Sequence, residues 1–416
     1  MRNKHFVLFI LSVLSIVTFL DRNAISLAGH RITTELGLSE SQFGWILSAF
    51  TISYGLFEIP TGLMGDRLGA RKVLARVVVW WSMFTVFTGF TGGFLSLFIV
   101  RFLFGAGEAG AYPNTAIAIR KWYPVPERGR AQAVIWMASR LGGALAPFLV
   151  IPIQMQFGWR SSFYVLGAVG IIWVVVWLVT YKDIDGGTHS AGPAAHNQIP
   201  WRFWLTNLNF WLLMAMYFCY ASGVFFFISW LPKYLQLGKG ISEKDLSWSA
   251  SLPFLLGALG CLAGGAVSDY LVKKWGIHWG RRIVPMFGLS LSGVSMLLAT
   301  QATNNNVVVI LVALGLAFMD VTAPVSWAVA TEMGGKLSGT VTGAMNTAGL
   351  LGGTVCSVGI GYLITLYGSY DLPVAIIGLL LVLGALLWLV IDPAKSMDPD
   401  NEGLEANVKR PSVDIV

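Results

Sequence analysis

Twelve apolar stretches of about 20 residues punctuate the chain, and nothing else in the sequence restricts its fold so tightly. They run roughly over 6–29, 44–65, 73–93, 95–118, 131–154, 161–181, 207–231, 248–271, 282–301, 306–330, 337–364 and 372–391. A helix needs about 20 apolar residues to cross a bilayer. Only 12% of the 416 residues are charged and 55% are hydrophobic. A soluble protein averages about 25% charged residues, so lipid is the solvent for most of this surface. The sequence therefore predicts an all-α membrane protein. The 47 glycines suit it, because small residues let helices approach closely in lipid. The first run, Phe6 to Leu20, lacks a small-x-small cleavage site and reads as a retained first helix.

The net charge of +7 points to topology rather than to nucleic acid. With the N-terminus placed in the cytoplasm, segments on that side hold 20 of the 28 Lys and Arg residues; segments on the other side hold five and the helices three. This bias puts both termini inside. Cys219, Cys261 and Cys356 all lie in apolar runs without a CxxC spacing, which excludes disulfide or zinc readings. No metal, cofactor or hydrolase motif is present, so neither an enzyme nor a cofactor is expected, and a monomer in a bilayer is.

Residues 182–206, rich in Gly, His, Ala and Pro, read as a cytoplasmic linker between residues 1–181 and 207–391, with a polar tail over 392–416 predicted to be disordered. The loop after the second run, from Gly62 to Lys72, has a partial copy after the eighth, beginning at Gly265, with Asp66 and Asp269 in matching places. Two six-helix halves related by an axis along the membrane normal give this pattern.

Seven ionisable residues fall inside the runs: Asp21, Arg22, Glu58, Arg101, Glu108, Arg140 and Asp320. Each costs about 2.5–3.5 kcal/mol at the bilayer centre on insertion scales. They must face each other or water, and so mark a functional path. Tyr54 and Glu58 share a helical face at i, i+4. A guanidinium fork matches a carboxylate, so Arg22 and Arg140 are the candidate anion ligands. Alternatively, Arg140 is neutralised by Glu58, which lies at similar depth, and Asp21 pairs permanently with Arg101.

Gly62-x-x-x-Asp66-Arg67-x-Gly69-x-Arg71-Lys72 resembles the signature loop of the major facilitator superfamily, and Arg101-x-x-x-Gly105-x-Gly107-Glu108 resembles a second motif whose Arg is tied to proton coupling. Leu20-Asp21-Arg22, Tyr54 to Pro60, Arg101 to Pro113, Trp122-Tyr123-Pro124 through Glu127-Arg128, and Trp230-Leu231-Pro232-Lys233-Tyr234 resemble the anion:cation symporter family. That family includes sugar-acid, tartrate and phthalate permeases and the vesicular glutamate and sialic acid carriers. The resemblance implies a twelve-helix secondary transporter that takes up small organic anions with protons across a bacterial inner membrane.

It also implies proton-carrier roles for Asp21 and Glu108, and matches Asn346 to a polar substrate position; apart from that of Arg101 in the second motif, the remaining roles are read from the residues themselves. Arg22, Arg140, Tyr54, Asn346 and Trp327 are the expected substrate ligands, with Trp136 as a further lining residue. Asp21, Glu108, Arg101, Glu58 and Asp320 are the expected proton-coupling set, although Asp320 has no counterpart role in the family. Gly62, Asp66, Arg67, Gly69, Arg71 and Asp269 form the expected gating motif. Glu58 and Arg140 depart from the galactonate-type pattern, so substrate identity does not carry over. The antiporter Gly-Pro pattern is absent from Arg140 to Pro147, which favours symport over an exporter or antiporter of organic acids, siderophores or drugs.

Overall fold

The computed structural model describes residues 4–123, 125–181, 205–334 and 338–397, and among these the chain is helical throughout its ordered elements. The side chains of Ile59, Leu63, Asp66, residues 125–130 and residues 338–339 are not described. The expected linker lies outside the described residues except for 205–206.

In chain order the helices are α1 (Lys4–Leu27), α2 (Gly29–Leu36), α3 (Glu40–Leu68), α4 (Ala70–Thr88), α5 (Phe94–Glu108), α6 (Ala111–Trp122), α7 (Val125–Phe157) and α8 (Trp159–Thr180). After the linker come α9 (Leu208–Ser229), the short α10 (Leu231–Lys233), a π-turn over Tyr234–Gly238, α11 (Glu243–Gln301), α12 (Asn305–Asp320), α13 (Thr322–Gly334), α14 (Ser338–Tyr367) and α15 (Asp371–Val390).

Each of the twelve apolar runs lies in this series. A straight helix of 59 residues would be about 90 Å long, three times the bilayer core. Accordingly α11 breaks at Gly276, with φ 77°, and folds back as two antiparallel spans; the Ser268 hydroxyl donates to the Gly280 carbonyl at 3.1 Å across the turn. Spans four and ten are also broken, α5 from α6 and α12 from α13. Proline accounts for both breaks. Pro113 and Pro324 have no N–H to offer the carbonyls of Ala109 and Asp320 four residues back. In consequence Glu108 is the last residue of α5 and Asp320 the last of α12, at equivalent places in the two halves.

The helices alternate in direction, so each half has one face that carries the chain ends, here the terminal face, and one opposite, the far face. Arg31, Arg160, Lys233, Lys239 and Lys244 all fall on the far-face connections, as the charge bias implies. The start of the tail corrects the expectation of disorder from residue 392. Asn209 Nδ2 donates to the Asp392 carbonyl at 2.8 Å, the Met397 N–H donates to the Met333 carbonyl at 2.6 Å, and Met397 is buried.

The halves meet at the far face. Lys233, only 1% exposed, donates to both Glu40 oxygens at 2.7 Å and to Thr33 Oγ1 at 3.1 Å. Its ammonium lies 4.5 Å from the Phe43 ring centroid, a cation–π arrangement. Tyr370 donates to Glu40 from the other half at 3.4 Å, and Arg31 pairs with Glu243. Burial pulls Lys233 below the ordinary lysine pKa while Glu40 opposes that shift; the buried charge persists because it is paired.

Beneath this cluster α3 and α14 touch through backbone. A Cβ on Gly44 would press into the Ser357 carbonyl. Next down, Thr51 Oγ1 and Thr354 Oγ1 are 2.7 Å apart.

Cysteines at 51 and 354 should therefore form a disulfide under mild oxidant. After cleavage within the linker, the two fragments should stay joined until reduced. Failure of the folded variant to cross-link would contradict this packing of the halves.

Candidate functional site

Arg22 and Arg140 are both held by carboxylates at the helix breaks. Arg22 Nε donates to Glu108 Oε1, and Arg140 Nη2 donates to Asp320 Oδ1 at 2.7 Å. In each pair the acid side chain is fully buried, 0% exposed, while the arginine is 13% exposed for Arg22 and 11% for Arg140. The acids are thus sealed among the helices while each arginine keeps a small exposed edge. A helix C-terminus carries partial negative charge that also favours a cation there. Both acids keep one oxygen without a protein partner, Glu108 Oε2 and Asp320 Oδ2, and so does Arg22 Nη2.

Four rings surround the Arg22 guanidinium: Tyr54 at 5.0 Å, Phe50 at 5.1 Å, Phe19 at 5.4 Å and Tyr112 at 5.7 Å. Cation–π attraction holds the charge without neutralising it, and is stronger where water is excluded. Tyr112 leads on to Arg140. Its hydroxyl is 2.8 Å from Ser139 Oγ, and its ring stacks on Trp136 at 5.0 Å and 6°. Trp136, 40% exposed, lies 6.4 Å from Trp327 of the other half. Trp327 in turn donates to the Tyr217 hydroxyl at 3.0 Å.

Two alternatives weighed from the sequence are not what forms. Glu58 does not pair with Arg140; it accepts from Asn346 Nδ2 at 2.9 Å, so two separately expected residues form one bridge between halves. Asp21 makes no ion pair with Arg101. Asp21, 1% exposed, sits among Glu108, Arg101 and Trp81, and neither carboxylate oxygen has a hydrogen-bond partner. Arg101 instead lies 4.1 Å from the Phe104 ring and 5.8 Å from Phe50.

In the gating motif, Gly69 has φ 82°, the left-handed region that favours glycine, and forms the corner between α3 and α4. Arg71 donates to the Leu178 carbonyl at 2.6 Å, Arg67 is exposed, and Gly62 packs near Pro113. The Asp66 side chain lies outside the described residues. Its counterpart Asp269 pairs with Arg281 at 2.8 Å, and Arg281 also holds Glu332 at 2.6 Å. Tyr112, Ser139, Tyr220, Lys233 and Glu40 were not among the expected site residues. Lys233 carried a signal nonetheless, a lysine next to Pro232 at the end of an apolar run.

Two helical halves with arginine–acid pairs buried between and within them have the arrangement of a multi-pass membrane transporter. The family model for the Major Facilitator Superfamily matches residues 11–355 and again 273–413, and the chain belongs to that superfamily; it is a transporter rather than an enzyme. The chain is similar to a probable sulfoacetate transporter, SauU, of Cupriavidus necator, 36% identical with 96% of each chain covered. It is also similar to a hexuronate transporter of Bacillus subtilis, 33% identical over 84% of this chain and 86% of the relative. A D-galactonate transporter of Escherichia coli is 29% identical, covering 94% and 96%. These relatives are organic-acid carriers, in keeping with the resemblance to the anion:cation symporters. Among solved structures, a bacterial homolog of the human lysosomal transporter Spinster superposes with TM-score 0.79 at 18% identity, covering 93% of this chain and 96% of that one, which shows the fold.

Removing one member of a buried ion pair costs about 3–5 kcal/mol, because the other charge is left uncompensated. Arg140→Gln alone and Asp320→Asn alone should therefore each lower the melting temperature of the detergent-solubilised protein, and the double variant should recover most of the loss. Equal melting temperatures for all four proteins would show that the pair is not formed.

Proposed function

We propose that the protein takes up small organic anions together with protons across a bacterial inner membrane, with both termini and the linker cytoplasmic and the protein acting as a monomer. The halves 1–181 and 207–391 rock about the cleft as two bodies. The observation that carries this reading is the Arg22–Glu108 pair within the membrane span: a partly exposed guanidinium held by a fully buried acid.

In this reading the far face is extracellular, and its Lys233–Glu40 cluster closes that side while the cleft opens to the cytoplasm. When the outer side opens, Glu108 takes a proton and loosens its hold on Arg22, and Asp21, buried beside Glu108 and Arg101, takes a second. The freed guanidinium of Arg22 binds the substrate carboxylate or sulfonate with a charge-assisted fork. Tyr54 and Tyr112 flank it, and Asn346 and Trp327 contact the rest of the solute from the second half. Inside, the higher pH removes the protons, Glu108 reclaims Arg22 and the anion leaves. A membrane potential of 100 mV opposes entry of each negative charge by about 2.3 kcal/mol, so net uptake of a monoanion driven by the potential needs more than one proton.

The relatives' names supply the probes: sulfoacetate, a hexuronate, D-galactonate and D-glucarate. Proteoliposomes containing only this protein should accumulate at least one of these when an inward proton gradient is imposed. Accumulation with the opposite gradient alone would make it an exporter or antiporter. Arg22→Ala should weaken binding of the accepted anion by tenfold or more, since hydrogen bonds to charged groups contribute about 1.5–3 kcal/mol; unchanged affinity would remove Arg22 from the site. Glu108→Gln should leave anion exchange running and abolish gradient-driven accumulation, and accumulation that persists would remove Glu108 from the coupling path.

A further inference from the structure

Asp320 repeats, in the second half, the placement of Glu108 in the first. Each acid ends the first helix of a proline-broken span, each is fully buried, and each holds a partly exposed arginine through one N–H···O bond. The two pairs differ in one respect. Arg22 and Glu108 belong to the same half, whereas Arg140 on α7 reaches across to Asp320 of the other half. Tyr220 donates to the same oxygen, Oδ1, at 3.2 Å. The other oxygen, Oδ2, has no protein partner and lies 2.6 Å from where a Cβ on Gly257 would stand. Asp320 is thus held tightly on one side, and Arg140, 11% exposed, lies between Asp320 and Cys261 of the other half.

Arg22 and Arg140 are linked through α6 and α7. Tyr112 connects them, its ring against the Arg22 guanidinium and its hydroxyl on Ser139, the residue before Arg140. We infer that Arg140 receives a second anionic group of the solute, and that Asp320 competes for it, so that the site selects dianions over monoanions of the same size. This rests on the anion-binding reading of Arg22 above.

The selection follows from the bridge between halves. A monoanion binds at Arg22 and leaves Arg140 on Asp320, so the α7–α12 bridge stays closed. A dianion draws Arg140 away from Asp320, and the bridge opens when the halves must move. Asp320, left with Tyr220 alone, then takes a proton from the cleft water, because an uncompensated carboxylate is costly at this depth.

The test uses pairs that differ only in one carboxylate replaced by a hydroxymethyl group: D-glucarate against D-gluconate, and sulfoacetate against isethionate. Uptake of each is measured in proteoliposomes for the wild type and for the double variant Arg140→Gln/Asp320→Asn, in which both charges are removed and no lone ion remains. Wild type should prefer the dianion in the accepted pair by about tenfold or more, the scale of one charge-assisted contact. The double variant should lose most of that preference while still taking up the monoanion through Arg22. Asp320→Asn alone, which removes the bridge that holds a monoanion back, should raise monoanion uptake and narrow the preference below wild type.

An equal fall of both members of a pair, or an unchanged ratio in the double variant, would overturn the inference and leave the Arg22 site standing. Uptake of none of the four by the wild type would remove the anion-binding reading and this inference with it.

Discussion

A charge inside the bilayer core must be paired or face water, and the interior of this protein is arranged around that requirement. Seven ionisable side chains are placed among helices that otherwise present apolar surface. Four of them form two ion pairs, Arg22 with Glu108 and Arg140 with Asp320. In each the acid is buried and the arginine keeps a small exposed edge. Such pairs contribute little net stability, since desolvation offsets most of the attraction. In the proposed cycle the same arginine is claimed by either of two anions, one resident and one arriving, with protonation of the resident deciding which.

Backbone breaks set where those acids stand. Pro113 and Pro324 interrupt equivalent spans and leave Glu108 and Asp320 at the ends of α5 and α12. The helix ends also supply partial negative charge that steadies the arginines. Around Arg22, four aromatic rings lower the cost of keeping a cation out of bulk water without committing it to a second carboxylate. At the far face a different solution appears: Lys233 is buried but fully paired with Glu40, which ties the halves together rather than offering a site.

Much of this was legible in the sequence because lipid imposes a simple rule. Apolar runs of bilayer length located every span, even the two hidden within the 59 residues of α11, where Gly276 provides the turn. The scarcity of charge within those runs picked out Arg22, Glu108, Arg140 and Asp320 as residues that needed an explanation. Partner choice was not legible. Glu58 and Arg140 have similar depth, but depth says nothing about azimuth, and Glu58 turned to Asn346 while Arg140 turned across the cleft to Asp320. Asp21 and Arg101 were close enough in depth to suggest a pair, yet Arg101 packs on Phe104 instead. Tyr112 and Ser139, which link the two arginines, look like ordinary packing residues until α6 and α7 are brought together.

Competition between resident acid and arriving anion has a direct calorimetric signature. When an accepted probe, such as D-glucarate or sulfoacetate, binds the detergent-solubilised protein at fixed pH, the acid that gives up its arginine must take a proton from the buffer. Binding enthalpies measured in buffers of different ionisation enthalpy yield that proton count. The account predicts net proton uptake on binding for the wild type, reduced by the Glu108→Gln substitution. Tight binding by the wild type with no proton uptake would contradict it.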